Sequence, residues 1–321
     1  MSKKILGMGN AVLDILAEAK EEDLKKNNLK KGTMALVAQE ESDKLLSEIN
    51  FIKKDSGGSV ANTLAAISLF GGDSYFCGKV KNDDLGKVFV QSMEKVGTKF
   101  LCEMANTGLP TARCIVMVTS DGERTMQTFL GASTTLDSED LEENFFDGTS
   151  FLIIEGYLWS SPTARKAIEK AIKIAKQKKI KIMFSLSDQN LVKMYKNEFL
   201  KIVEEIDILI GNNDEYKALL NLPNNEEILK KLTKDKCISI MTLGKDGAMA
   251  FDTKKVYKVP SFKPSKILDT TGAGDMFASG FLFKINKGES IDEALRYGCK
   301  TASRIISQYG ARPDQNSFKN I

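Results

Sequence analysis

From about residue 151 onward, short apolar runs alternate with longer amphipathic ones. Phe151-Leu-Ile-Ile154 precedes a helical pattern over 163–178, Ile180-Lys-Ile-Met-Phe184 one near 191–204, and Ile206-Asp-Ile-Leu-Ile210 one that starts at 213. Cys237-Ile-Ser-Ile-Met241 and a run at 248–251 follow, and two long helical patterns at 273–285 and 290–308 close the chain. Apolar runs of this length suit strands buried on both faces, and the helical stretches between them suit crossovers. This half therefore predicts βαβ units and a mostly parallel central sheet with helices on both faces. The first half is less regular. Its β-rich runs lie at 4–9, 12–17, 33–38, 73–80, 112–119 and 124–130, and its helical patterns near 40–49, 59–70 and 83–96. No repeat, low-complexity tract or Pro/Gly/Ser-rich linker interrupts the chain, so residues 1–321 are expected to form one α/β unit. Ligands of such sheets bind beyond the carboxyl ends of the strands, which directs attention to the strand-to-helix junctions.

Composition narrows the chemistry more than the fold. The 321 residues include no histidine. That excludes Ser-His-Asp and Cys-His nucleophile systems, phosphohistidine, and zinc or haem held by imidazole. Proton transfer must fall to Asp, Glu, Lys, Tyr or Cys. The five cysteines (Cys77, Cys102, Cys114, Cys237, Cys299) form no C-x-x-C pair and read as small buried hydrophobes in a reducing compartment. Net charge is +3, split into −6 over residues 1–150 and +9 over 151–321. Part of the basic excess is the Lys173, Lys176, Lys178, Lys179 cluster near a helix C-terminus, where it complements the dipole. Lysines outnumber arginines 40 to 6, so nucleic acid is not expected as a partner. Asn10 and Asp14 interrupt the N-terminal apolar stretch, and no run of 18 apolar residues occurs. Neither a signal peptide nor a membrane partner is expected, and the chain reads as cytoplasmic.

The segment Asp269-Thr-Thr-Gly-Ala-Gly-Asp275 is the richest in chemistry. Gly272 and Gly274 let the backbone turn tightly and approach a ligand with no Cβ in the way. The helix that follows starts with unpaired N–H groups and a positive dipole end, which suits a phosphate. Asp275 at that mouth repels phosphate unless it has a task, and abstracting a hydroxyl proton is one. A glycine turn with an aspartate in the first helical turn is also favourable by itself. Other motifs are ambiguous alone. Asn212-Asn-Asp-Glu215 is a capping box as readily as a metal element. Thr242-Leu-Gly-Lys-Asp-Gly247 is first of all a turn, and its Gly-Lys lacks the following Ser/Thr of a P-loop. Gly7-Met-Gly-Asn10-Ala-Val-Leu-Asp14 has Val12 where a dinucleotide fingerprint needs its third glycine.

The stretch from Asp269 to Phe281 resembles the C-terminal signature of ribokinase-like (PfkB) carbohydrate and purine kinases, and Gly57-Gly-Ser-Val-Ala-Asn62 resembles their N-terminal one. The resemblance covers essentially the whole chain. It implies a ribokinase-like fold with a small β-rich lid from about 11–55 and 99–128, and ATP and Mg2+ as cofactors. It implies Asp275 as catalytic base, Gly272, Ala273 and Gly274 as a backbone anion hole, and Arg124 over the transferring phosphoryl group. Asp14 would accept hydrogen bonds from two sugar hydroxyls, with Asn10, Gly57, Gly58 and Asn62 completing the cradle. Thr242, Gly244, Lys245, Gly247 and Asn212 would meet ATP, and Asn212 with Glu215 would hold magnesium through water. Asp269 with Gln308-Tyr-Gly310 would supply a monovalent cation site for K+.

Within that family, Gly7–Val37, Phe184–Asn212 and Gly156-Tyr157-Leu158-Trp159 are similar to the adenosine kinase branch. The last segment corresponds to one that packs an aromatic face on the purine. Met34, Leu36, Tyr157 and Thr271 would lie near the base, although animal-type enzymes tend to have Gln and Asn where Met34 and Thr271 stand. The expected reaction is transfer of the γ-phosphoryl group of ATP to the 5′-hydroxyl of a ribonucleoside, adenosine first, by a monomer or homodimer. A ribose, fructose or ketodeoxygluconate kinase is the alternative.

Overall fold

The computed structural model describes residues 3–233, 237–313 and 318. Its strands among those residues are β1 (Lys4–Met8), β2 (Val12–Glu18), β3 (Met34–Leu36), β4 (Phe51–Gly57), β5 (Ser74–Cys77), β6 (Lys99–Phe100), β7 (Ala112–Val118), β8 (Arg124–Phe129), β9 (Thr149–Glu155), β10 (Lys181–Ser185), β11 (Ile208–Asn212), β12 (Ile238–Thr242), β13 (Ala248–Phe251) and β14 (Val256–Val259). A large sheet has the order β14-β13-β12-β11-β10-β9-β1-β5-β6, and a small sheet the order β3-β8-β7-β2-β4. From β6 to β12 the large sheet is parallel, and β13 and β14 add an antiparallel edge.

The continuous apolar runs have a simple cause. Alternate residues of one strand enter opposite faces. Leu152, Ile154, Ile182, Phe184 and Leu209 pack on one side with Ala164, Ile168 and Ala171 of helix Pro162–Gln177. Phe151, Ile153, Met183, Ile208 and Ile210 pack on the other with Val60 and Leu64 of helix Ser59–Leu69 and Phe277 and Phe281 of helix Ala273–Asn286. Among the described residues, no helix is long and apolar enough to cross a membrane.

Three sequence expectations change. The helical pattern near 191–204 is two helices, Gln189–Met194 and Lys196–Val203, broken at Tyr195. Lys99–Phe100 joins the large sheet beside β5, because Phe100 packs on Phe76 and Phe89 with ring centroids 6.0 Å apart in each case. The second segment of the small sheet therefore begins at Ala112, not at 99. The first extends to Gly57 through β4, whose Phe51-Ile-Lys-Lys lacks strand alternation because it forms an exposed edge.

Of the four passages of the chain between the two sheets, the first two lie side by side. The chain leaves β1 at Met8 and enters β2 at Val12, and it returns from β4 at Gly57 into helix Ser59–Leu69. The β2–β4 register pairs Val12 with Gly57 and Asp14 with Asp55, so both crossings open into one corner.

Candidate active site

A cleft of about 470 Å³ opens between the two sheets. Ile153, Ser185, Asn212 and Thr242, at the carboxyl ends of β9 to β12, line one side, and Asp14, Asp55, Cys114 and Met126 of the small sheet line the other. This is the place where parallel sheets bind ligands.

Helix Ala273–Asn286 points its N-terminus into this cleft. Gly272 caps it at φ 78°, and a Cβ there would lie 2.7 Å from the Cα of Ala311, so the position requires glycine twice over. A Cβ on Gly274 would meet no neighbour; bare backbone here leaves the helix end open to the cleft. Thr271, Gly272, Gly274 and Asp275 line the cleft, whereas Ala273 packs beside Ala66, Met276 and Ile305. Asp275 Oδ1 accepts from the Ser59 hydroxyl at 2.6 Å, and Oδ2 from Asn62 Nδ2 at 3.1 Å. Burial raises the carboxyl's pKa, and those two donors oppose the rise by favouring the ionised form. Asn62 Oδ1 is buried without a protein partner, leaving an acceptor for a ligand hydroxyl.

Asp14 stands on β2 facing the same space. Burial first, then the nearby Asp55 and Asp275 carboxylates, push its pKa up to about 7 against the pull of Arg312 and Arg124. Gly57 is not in the cleft wall. Its role is steric, since a Cβ there would fall 2.4 Å from Asp14 Oδ2. Gly58, at φ 94°, does line the cleft, and its Cβ would strike the Asn10 carbonyl at 2.3 Å. Asn10 itself is buried outside the cleft wall, with its N–H donating to Glu155 Oε1 at 2.7 Å. The other Glu155 oxygen accepts from Val60 N at 3.1 Å. Burial raises the Glu155 pKa to about 7, opposed by these two backbone donors.

Asn212 and Glu215 form a complete capping box. Asn212 Oδ1 accepts from Glu215 N at 2.9 Å, and the Glu215 oxygens accept from Asn212 N and Nδ2, each at 2.8 Å. Both residues also line the cleft. Burial pushes Glu215 up to about 7. Thr242 lines the cleft too, but Gly244, Lys245 and Gly247 do not. They make a tight turn in which a Cβ on Gly247, at φ 93°, would meet the Val259 carbonyl at 2.0 Å.

Arg124 lines the cleft with its Nη1 2.7 Å from Asp269 Oδ2, and its Nε is buried without a partner. Asp269 Oδ2 also accepts from Gly310 N at 2.7 Å, and Oδ1 from Thr271 N and Oγ1 at 3.0 and 2.7 Å. The residue expected at a K+ site is thus saturated by four protein donors, one of them cationic. Met34 and Leu36 are 52% and 63% exposed on edge strand β3 and lie outside the cleft wall. Of the two aromatics in Gly156–Ser160, Tyr157 faces the cleft, while Trp159 is buried against Phe199. Ser59, Asp55, Glu155 and Arg312 enter the site without having been singled out by pattern. Ser59 lies inside the quoted Gly57–Asn62 motif, whereas the other three carried no local signal.

This arrangement agrees with comparisons to known proteins. A 5-dehydro-2-deoxygluconokinase of Halalkalibacterium halodurans is 27% identical over 293 residues, covering 88% of each chain. The structure of an adenosine kinase from Sinorhizobium meliloti is 34% identical with a TM-score of 0.88, covering 98% of this chain and 96% of that one. A probable sugar kinase from Rhizobium etli is 34% identical with a TM-score of 0.87 and the same coverage. The pfkB family carbohydrate kinase model matches residues 25–317. With both glycine-bearing junctions meeting at Asp275 in one cleft between the sheets, the chain belongs to the pfkB family of kinases, phosphotransferases that use ATP and a divalent metal such as Mg2+.

Proposed function

We propose that this kinase phosphorylates the 5′-hydroxyl of a ribonucleoside, adenosine first, with Asp275 as general base. The observation that carries the phosphotransfer is Asp275 in the first turn of a helix whose bare N-terminus faces the cleft. Phosphoryl transfer needs positioning and charge stabilisation more than covalent chemistry. Asp275 takes the hydroxyl proton, the amides after Gly272 receive the transferring group, and Asp14 and Asn62 Oδ1 accept from the acceptor's other hydroxyls. Closure of the small sheet over the acceptor excludes water.

Magnesium carried by the nucleotide phosphates supplies charge neutralisation when bound. Glu215 fits an outer-sphere role, because both its oxygens are already engaged by Asn212. Among the described residues no cluster of three metal-ligating side chains exists that would hold the ion without phosphates and water.

Two features favour a neutral acceptor. The cations of the cleft are matched by carboxylates: Lys53 bonds Asp55 at 2.8 Å, Arg124 bonds Asp269, and Arg312 faces Asp55 and Asp14. A sugar acid would therefore meet Asp14, Asp55 and Asp275 with no uncommitted countercharge. Tyr157, Val116 and Met126 add apolar wall suited to a base, and the 34% identical adenosine kinase supports the same reading.

The second reading is a sugar kinase, and the curated relatives' names favour it over the nucleoside. Besides the H. halodurans protein, the Bacillus subtilis relative is also a 5-dehydro-2-deoxygluconokinase. Turnover with ATP and a panel of adenosine, guanosine, ribose, fructose and 5-dehydro-2-deoxygluconate separates them. Adenosine is expected to give the highest kcat/KM; preference for a free sugar or the sugar acid would replace the nucleoside reading with the second.

A further inference from the structure

Arg312 lies beyond the last helix, Ile291–Ile305, and outside every motif of the sequence. The residue nevertheless lines the cleft. Nη1 donates to the Ala61 carbonyl at 2.9 Å, inside helix Ser59–Leu69, and Nη2 to the Ser56 hydroxyl on β4 and to Met93 Sδ at 3.0 Å. Its own carbonyl accepts from Gln308 Nε2 at 2.8 Å, and its Nε is buried without a partner. One side chain thus joins the C-terminal segment, the edge strand β4 of the small sheet and the helix that carries Asn62. We propose that Arg312 is a positioning residue for the acceptor: seated between Ser56 and Ala61, it fixes the corner between the sheets and supplies the countercharge that keeps Asp14 an acceptor of substrate hydroxyls.

The β2–β4 ladder explains the need. Asp14 and Asp55 stand directly opposite each other, and two like charges so placed repel. Asp55 has other partners, Lys53 Nζ at 2.8 Å and the Ser92 hydroxyl. Asp14 also faces Cys114 from β7 and Asp275 from helix Ala273–Asn286, neither of which favours its ionised form. The cations that do favour it are Arg312 and Arg124, and Arg124 is committed to Asp269. Burial draws Arg312 down to about 10, so it stays charged through the physiological range.

This inference rests on the reading that Asp14 holds acceptor hydroxyls, and the test separates the two. The acceptor's kcat/KM is followed against pH in the wild type and in Arg312→Met, Arg312→Gln, Arg312→Lys and Asp14→Asn. Removing a nearby opposite charge raises a carboxyl pKa by about one unit or more. The acid limb is therefore expected to move up by about one pH unit in Arg312→Met, with KM roughly tenfold higher near pH 6.5, recovery above pH 9 and kcat changed much less. Arg312→Gln serves the same purpose if the Met variant does not fold, and Arg312→Lys is expected to restore most of the limb. A purely structural arginine would lower the Tm and leave the limb in place, which overturns the proposal, as does a lysine variant no better than the neutral ones. If Asp14→Asn leaves the acceptor KM within about twofold, it is the reading of Asp14 that has failed.

Discussion

The Ser59 hydroxyl donates to Asp275 Oδ1 at 2.6 Å, joining two signatures that lie 216 positions apart. That bond favours the ionised carboxylate over the protonated form that burial promotes. Ser59→Ala is expected to raise the pKa of Asp275 further and reduce kcat about three- to tenfold on the acid limb of its pH profile. Turnover should recover toward the wild-type value on the alkaline side of that limb. A pH–rate profile checks this, and a kcat lowered equally at every pH would mean that Ser59 acts only through packing.

Arg124 and Asp269 tie the small sheet to the loop before helix Ala273–Asn286, with side chains only 13% and 7% exposed. Removing one member strands a buried charge, which costs on the order of 3–5 kcal/mol when fully desolvated and less with residual exposure. Asp269→Asn is expected to lose roughly 2–4 kcal/mol in urea unfolding. A loss below about 0.5 kcal/mol would mark the pair as ordinary surface charge.

Asp14 sets activity against stability. Its folded pKa, about 7, lies above that of an unfolded aspartate, so the folded state favours the proton. Its contribution to stability is fully present below about pH 4 and is lost as pH rises through 7. Asp14→Asn is therefore expected to be more stable than the wild type at pH 8, by on the order of 2–4 kcal/mol and with a higher Tm, with little difference at pH 4. The same variant should lose about 10²-fold or more in acceptor kcat/KM, because charge-assisted bonds to hydroxyls disappear. Thermal melts at the two pH values check the sign; a variant less stable at pH 8 would contradict it.

Glu155 accepts from two backbone N–H groups, those of Asn10 and Val60, at the place where the chain leaves the large sheet. Gln at this position has one oxygen, so one N–H group would face an NH2 donor. Glu155→Gln is expected to cost about 1–3 kcal/mol despite its near-identical shape. It should also weaken acceptor binding, since Asn10 and Val60 flank the corner that holds Asp14 and Asn62. Calorimetric unfolding with acceptor titration measures both; neutrality in the two would remove Glu155 from this role.

The large sheet was legible because its strands are buried on both faces and so appear as unbroken apolar runs between amphipathic helices. The small sheet was less so. Its edge strand Phe51–Gly57 begins with the exposed Phe51, Ile52 and Lys53, and Lys99–Phe100 changed sheet because aromatic packing outweighs local pattern. In the site, glycine motifs announced the residues whose backbone geometry is special: Gly58 and Gly272 at positive φ, and Gly57 pressed on Asp14. Glu155 and Arg312 were illegible because the partners of the first lie 95 and 145 positions away and those of the Arg312 guanidinium 219 to 256 away, and a single buried charge has no periodicity. Met34 and Leu36, taken from resemblance alone, stand outside the cleft wall.

The central claim is that Asp275 removes the proton from the acceptor hydroxyl. Single-turnover transfer of the γ-phosphoryl group from ATP by Asp275→Asn, at saturating acceptor, tests it most directly. The amide keeps the size of the side chain and one oxygen for Ser59 but cannot take up the proton. The expected result is a rate lower by at least about 10²–10⁴-fold, with ATP and acceptor still bound at near wild-type affinity. A rate within about tenfold of the wild type, under the same conditions and with the same affinities, would contradict the assignment.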